Sequence, residues 1–185
     1  MSMSIGGALK ILLPNAVPFV DYVLQDDSDG GGAYIAQWNL VAQQPTQADL
    51  LTASTLYETG EKWEAIKVER DHRKAGGVLV NGKWFHSDSD SRIQYLGLKD
   101  RARDLLGTGG AMADNITILG HPVKWKTMDG SMVDVTAQVA YDIVTAVGDL
   151  DAQLFLIAET HKSTMETSLD PTSYDYSTGW PQSFG

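Results

Sequence analysis

The chain has 185 residues, 43% of them hydrophobic and 21% charged, which fits one domain or one domain plus a small appendage and excludes wholesale disorder. Its net charge of −10 argues against nucleic acid as a main partner, because a phosphate backbone needs a basic face. There is no cysteine, so disulfides, thiolate zinc sites and thiol catalysis are excluded.

No apolar run approaches the roughly 20 residues of a membrane span. The start, Met1 to Pro14, lacks a basic segment followed by a long apolar core, so it does not read as a signal peptide. Synthesis in the cytoplasm as a soluble protein is the expectation.

In chain order, residues 1–18 read as irregular, with Leu9–Leu13 as an edge strand or docking tail. Phe19–Gln25 and Ala33–Asn39 carry the aromatic and β-branched residues of strands and flank a polar Asp/Gly loop, predicting a β-hairpin. The Asp26–Asp29 loop invites a calcium reading. Counted from Asp27, however, position 5 is Gly31 and position 12 is Trp38, where an EF-hand needs oxygen ligands, so a solvated turn is expected.

Thr46, followed three residues later by Asp49, resembles a capping box and opens a helical region over 46–74. Gly60 makes it one kinked helix or two. Its second half is highly charged, with Trp63, Ala65 and Ile66 as its only apolar stripe. The cluster Arg70, His72, Arg73 and Lys74 reads as cations complementing a helix C-terminus.

Gly76-Gly77 ends that helix, and Asn81-Gly82 between Val78–Val80 and Lys83–His86 signals a tight hairpin. Ser87 or Asp88 caps a helix to about Leu106, with Ile93, Leu96, Ala102 and Leu105 or Leu106 as its apolar face. Gly107–Ala111 is a loop without the Gly-Lys-Ser/Thr of a phosphate cradle. His121–Thr127 and Ser131–Val135 form a further hairpin around Asp129-Gly130. Thr136 then caps the longest helix, over roughly 137–168. Its stripe is Val139, Ile143, Val147, Leu150, Leu154, Ile157, His161 and Met165. The tail from Leu169 is proline- and aromatic-rich and cannot continue the helix.

The expected fold class is α+β: small β-hairpins packed with amphipathic helices, one of them long and C-terminal. The expected organisation is an N-terminal hairpin-plus-helix arm over 1–64 and an α+β module over 65–185. The four histidines are scattered, with no nucleophile elbow and no metal-protease spacing. His86 and Asp88, with His121, invite a metal-cluster reading, but a polar strand end and a helix cap are expected there. No catalytic residue, metal or cofactor is expected. The candidate partner-binding residues are Trp38, Trp63, Trp84, Trp125, Tyr174, Tyr176 and Trp180, because large amphipathic rings dominate interface energetics.

Four stretches carry a family resemblance: Ile66–Gly77, Trp84-Phe-His-Ser-Asp with Arg92, Trp125–Gly130, and Tyr174–Pro181. They resemble a domain of unknown function found in tail proteins of phages and prophages. The first fifty residues, with Tyr34-Ile-Ala-Gln-Trp-Asn and a Pro-Thr-x-x-Asp helix start, are similar to XkdW-like phage tail segments. The Gly107–Gly120 stretch is longer than the connection expected in the family.

The resemblance implies a non-enzymatic structural protein of a phage tail, an adaptor or connector at baseplate or tail fibre. It would be made in the host cytoplasm and located in the virion. Its partners would be tail-fibre and baseplate subunits, with self-association as a further option and neither nucleic acid nor a membrane span. The alternative is a tail-fibre assembly chaperone not retained in the mature virion. A third class is an enzyme or metal-dependent carbohydrate binder.

Overall fold

The computed structural model describes residues 3–184. The element order is α1 (Ile5–Leu12), β1 (Tyr22–Gln25), β2 (Tyr34–Trp38), α2 (Gln47–Lys74), β3 (Val78–Val80), β4 (Lys83–Phe85), α3 (Ser89–Gly107), β5 (Thr117–Ile118), β6 (His121–Pro122), β7 (Lys124–Lys126), β8 (Met132–Asp134) and α4 (Ala137–Thr167). A single 3-10 turn follows at Pro171–Ser173. The strands pair as four antiparallel hairpins, each a two-stranded sheet. The fold is α+β as expected, with small hairpins, amphipathic helices and a long C-terminal helix.

Two compact units emerge. The first comprises the chain up to Ile66 together with His161–Asp175. The second comprises Lys67–Thr160 and the segment from Tyr176 onward.

In the first unit, residues 5–12 are helical rather than irregular, which corrects the sequence expectation. Ser4 caps the helix, its hydroxyl accepting the Gly7 N–H at 3.3 Å. The Gly6-Gly7 pair lowers helix propensity, but a Cβ at Gly7 would come within 2.2 Å of the Tyr57 ring. Glycine there lets α1 lie directly on α2, and this tertiary contact outweighs the propensity cost of about 1 kcal/mol. The core of this unit is Ile5, Ala8, Leu9, Tyr22, Leu50 and Ala53.

α2 is one helix, with Gly60 inside it. Its predicted capping box is present. Asp49 N–H donates to the Thr46 hydroxyl at 3.2 Å, and the Asp49 carboxylate accepts the Thr46 N–H at 3.0 Å. The helix ends before Gly77, whose φ of +92° is the left-handed cap that glycine adopts without strain.

The second unit has the larger core. Val78, Val80 and Phe85 of the β3–β4 hairpin, Tyr95, Leu98 and Ala102 of α3, and Ala140, Ile143, Leu150 and Leu154 of α4 pack together. The β3–β4 turn is Asn81-Gly82 with φ of +51° and +77°, the type I′ geometry the dipeptide signals.

Asp88 caps α3, accepting the N–H groups of Asp90 and Ser91 at 3.1 and 3.0 Å. The buried face of α3 is the expected one only at its C-terminal end: Ala102 is buried, but Ile93 and Leu96 are exposed and Tyr95 and Leu98 are buried in their place. The ring of Tyr95 sits between Phe85 and Trp125, with centroids at 6.5 and 4.7 Å, and these aromatic contacts set the helix's rotation.

The β7–β8 hairpin turns at Asp129-Gly130 as expected. The β5–β6 hairpin was not anticipated. It joins its neighbours through Val123 N–H to Ile116 C=O and Val135 N–H to Val123 C=O, both 2.9 Å or shorter. On α4 the expected stripe is largely right. Ile143, Leu150, Leu154, His161 and Met165 are buried, along with Ala137, Ala140 and Ala158.

Candidate partner-binding surface

The seven candidate aromatics are all half-buried, and they do not converge on one site. In the first unit, Trp38 stacks on Tyr22 with centroids 6.5 Å apart, and its indole N–H donates to Ala42 C=O at 2.7 Å. Trp63 lies under the Lys162 ammonium, 5.1 Å from the ring centre. The Tyr174 hydroxyl is 2.8 Å from Nδ1 of the buried His161. The Tyr174 carbonyl accepts Lys62 Nζ at 2.7 Å.

In the second unit, Trp125 packs on Tyr95 as described. Trp84 borders an open groove of about 280 Å³ with Val78, Leu79, Ala146, Leu150 and Gln182. The C-terminal segment folds back here. Trp180 packs against the core, with its indole N–H on Tyr176 C=O at 2.7 Å and the Arg73 guanidinium 5.6 Å over its ring. Phe184 N–H donates to Gly76 C=O at 2.8 Å, and its ring lies 6.2 Å from that of Trp84. The structure therefore brings Phe184 against Trp84, and Tyr176 against Trp180. Trp38, Trp63 and Tyr174 have separate intramolecular roles.

Of the polar candidates, Asp88 is engaged in capping α3. Its carboxyl is held below the usual range by the hydrogen bonds of Ser91, backbone first and then hydroxyl. Asp26 and Asp29 each accept an N–H two residues on, from Ser28 and Gly31, at 2.8 Å. Among the described residues no group of three or more His, Asp or Glu is placed to hold a metal ion. No helix among them is long and apolar enough to cross a membrane.

The charge is unevenly divided. The first unit has three cations, Lys10, Lys62 and Lys162, against eleven carboxylates, a net of −8, which leaves −2 for the second unit. All three cations are engaged, Lys10 over the Tyr57 ring at 5.5 Å, Lys62 on backbone carbonyls and Lys162 over Trp63.

The most exposed large apolar residues lie elsewhere than the candidates. Leu169, Val41, Phe19 and Val20 stand out in the first unit, and Leu119, Val68, Ile93, Leu156, Phe155 and Leu96 in the second. Phe19 and Val20 fall in a stretch that reads as a strand, and Ile93 and Leu96 in one that reads as a buried helix face, so their exposure does not show in the sequence. The one available signal was negative: Leu119 stands before Gly120 where a tight turn favours Asn or Asp.

Comparison with known proteins gives two family matches. A model described as "Domain of unknown function (DUF4376)" matches residues 58–178, and one described as "XkdW protein" matches residues 5–66. The Phage-like element PBSX protein XkdW of Bacillus subtilis (strain 168) is 46% identical over 101 residues, 50% of this chain and 91% of that protein. The Uncharacterized protein YqcD of the same bacterium is 44% identical over 50 residues, or 27% of this chain. The chain spans only 45% of the length of YqcD. No solved structure matches.

Proposed function

We propose a non-enzymatic, protein-binding role in a phage tail for this chain, which belongs to the DUF4376 family of unknown function and to the XkdW family. Family membership makes the chain a phage-related protein. Its proposed place is that of an adaptor or connector joining fibre to baseplate in the virion.

The observation that carries it is the match to XkdW, a protein named for a phage-like element and covered over 91% of its length. The side chains support a binding role over a catalytic one. The aromatic rings and the acidic turn residues make packing, capping and turn contacts within the fold. What the chain offers outward is exposed apolar side chains on short turns and helix faces, which is how a protein contacts other proteins.

Mass spectrometry of gradient-purified virions, with copy number scaled to the major tail protein, tests the reading. A fixed, stoichiometric copy number is the expected result. Absence from virions, together with a complex with fibre protein in the infected lysate, would replace it with an assembly-chaperone role.

A further inference from the structure

We propose that the open end of the β1–β2 hairpin, formed by Val17–Val20 with Val41, is a docking tip for a different protein bearing an apolar socket rimmed by lysine and arginine. The proposal rests on the protein-binding reading above and adds the place of contact and the partner's chemistry.

Phe19 is the central observation. The residue is 82% exposed and its backbone φ is +65°. A bulky L-residue in the left-handed region is strained, and exposing a phenylalanine forgoes its burial energy as well. The turn nevertheless holds this arrangement firmly. Val17 N–H donates to the Asp21 carboxylate at 2.7 Å, Asp21 N–H to Val17 C=O at 2.9 Å, and Phe19 N–H to Tyr22 C=O at 2.7 Å.

Asn39 ties the other strand's exit to the same place. Its side-chain amide donates to Val20 C=O and its N–H to Asp21 C=O, both at 2.8 Å. That brings Val41, fully exposed two residues further on, to the same end of the hairpin. Val17, Phe19, Val20 and Val41 are all exposed there. A strained, well-ordered apolar tip is already organised for contact, so little ordering entropy is lost on docking.

Charge selects the partner. The unit that presents the tip carries −8; Lys10, which borders Phe19, is drawn over the Tyr57 ring at 5.5 Å, and the other two cations lie over a ring or on carbonyls. Asp26, Asp27 and Asp29 begin one residue past the four-residue strand β1, about 13 Å along it, which is within the footprint of an ordinary interface. A second copy of the chain would bring like charge against like charge, which electrostatic complementarity disfavours. A basic rim around an apolar socket satisfies both features.

The test uses the full-length chain in phage-producing cells, with p-benzoylphenylalanine at position 19 and, as a control, at Leu51, an exposed residue of α2 in the same unit. Photo-cross-linking at 19 is expected to give one dominant partner whose labelled peptide is apolar and flanked by lysine or arginine. In extracts the yield should fall at least tenfold between 0.05 and 0.5 M NaCl. Phe19→Asn, which suits the left-handed backbone, is expected to keep or raise the melting temperature while reducing partner recovery at least tenfold.

No product at 19, equal labelling from 51, an acidic labelled peptide, or a cross-link to a second copy would each overturn the proposal. The same preparations are scored for the chain in purified virions. Virion-bound chain without a cross-link at 19 sinks the docking tip and leaves the tail role standing. A basic-rimmed cross-link on chain absent from virions sinks the virion role and upholds the tip.

Discussion

Arg92 of α3 and Asp151 of α4 form a 2.7 Å ion pair in the second unit, with the arginine side chain only 16% exposed. The same guanidinium donates through Nη2 to Lys74 C=O at 3.0 Å and through Nε to Ser87 C=O. One side chain thus satisfies carbonyls at the end of α2 and at the entry to α3 while pairing with α4. Arg92→Ala is expected to cost about 2 kcal/mol, below the 3–5 kcal/mol of a fully buried pair because Asp151 is one-third exposed. Arg92→Lys should recover only part of this, since an ammonium cannot reproduce the fork. Urea unfolding of both variants, with a double-mutant cycle against Asp151→Asn, checks the claim. Additive single effects would show that the pair is not the source.

Asp129 gives the acid side of the stability profile. Its carboxylate accepts the Thr127 hydroxyl at 2.6 Å, the Ser131 hydroxyl at 2.7 Å and the Ser131 N–H at 2.9 Å, and it pairs with Lys83 at 2.9 Å. These contacts, the Thr127 hydroxyl foremost, hold its carboxyl well below the usual aspartate range. A depressed folded-state pKa contributes stability that is fully present above the unfolded value near 4, and that is lost as pH falls below it toward the folded value. Unfolding midpoints in urea at pH 6 and pH 2.5 should therefore differ more for the native chain than for Asp129→Asn. Equal differences would show that the turn is not linked to pH.

The face that α3 buries separates what was readable from what was not. Turns and caps were legible because their chemistry is local: Asn81-Gly82, the Thr46–Asp49 box and the Asp88 cap all lie where their residues place them. On α3 two apolar sets compete, Ile93 with Leu96 and Tyr95 with Leu98, and Phe85 and Trp125, distant in sequence, decide between them. The α1 helix was illegible for a similar reason, since Gly6-Gly7 reads as a breaker until Tyr57 is seen against it. The candidate tryptophans were legible as important rings, but whether each ring faces a partner or its own fold depends on tertiary neighbours. Leu98→Ala should accordingly cost about 2–4 kcal/mol and Ile93→Ala less than about 0.5 kcal/mol. Equal losses in thermal unfolding would contradict the assigned face.

The C-terminal aromatics are fold elements first. Trp180 packs on the core of the second unit and lies under Arg73, whose Nη1 also donates to Pro181 C=O at 3.3 Å. Trp180→Ala should destabilise by about 3 kcal/mol, in the lower range for a buried aromatic because the ring is half-exposed. Removing residues 169–185 would therefore weaken attachment to a partner partly by loosening the fold. Comparing Trp180→Ala with Trp180→Phe in both an unfolding assay and a virion-incorporation assay resolves the two. Incorporation that recovers with stability in the phenylalanine variant assigns the tail a structural role, and incorporation that stays low assigns Trp180 a contact of its own.

Leu119 and Asn81 occupy the same turn position with opposite chemistry. Both begin a two-residue hairpin loop completed by glycine, with φ of +54° and +79° at Leu119-Gly120 and +51° and +77° at Asn81-Gly82. Asparagine tolerates this backbone, whereas a leucine Cβ crowds the following carbonyl. The leucine is also 94% exposed, so packing does not offset the strain. Leu119→Asn is expected to raise stability by about 1 kcal/mol, a shift of roughly 2–4 °C for a chain of this size, and Asn81→Leu to lower it by a similar amount. Thermal unfolding of the two reciprocal variants measures both. If Leu119→Asn proved neutral while Asn81→Leu destabilised, the leucine would not be strained at its turn. If both shifts appear with opposite sign, the β5–β6 hairpin keeps a leucine at its tip against its own stability, which is the expected signature of a residue retained for contact rather than for folding.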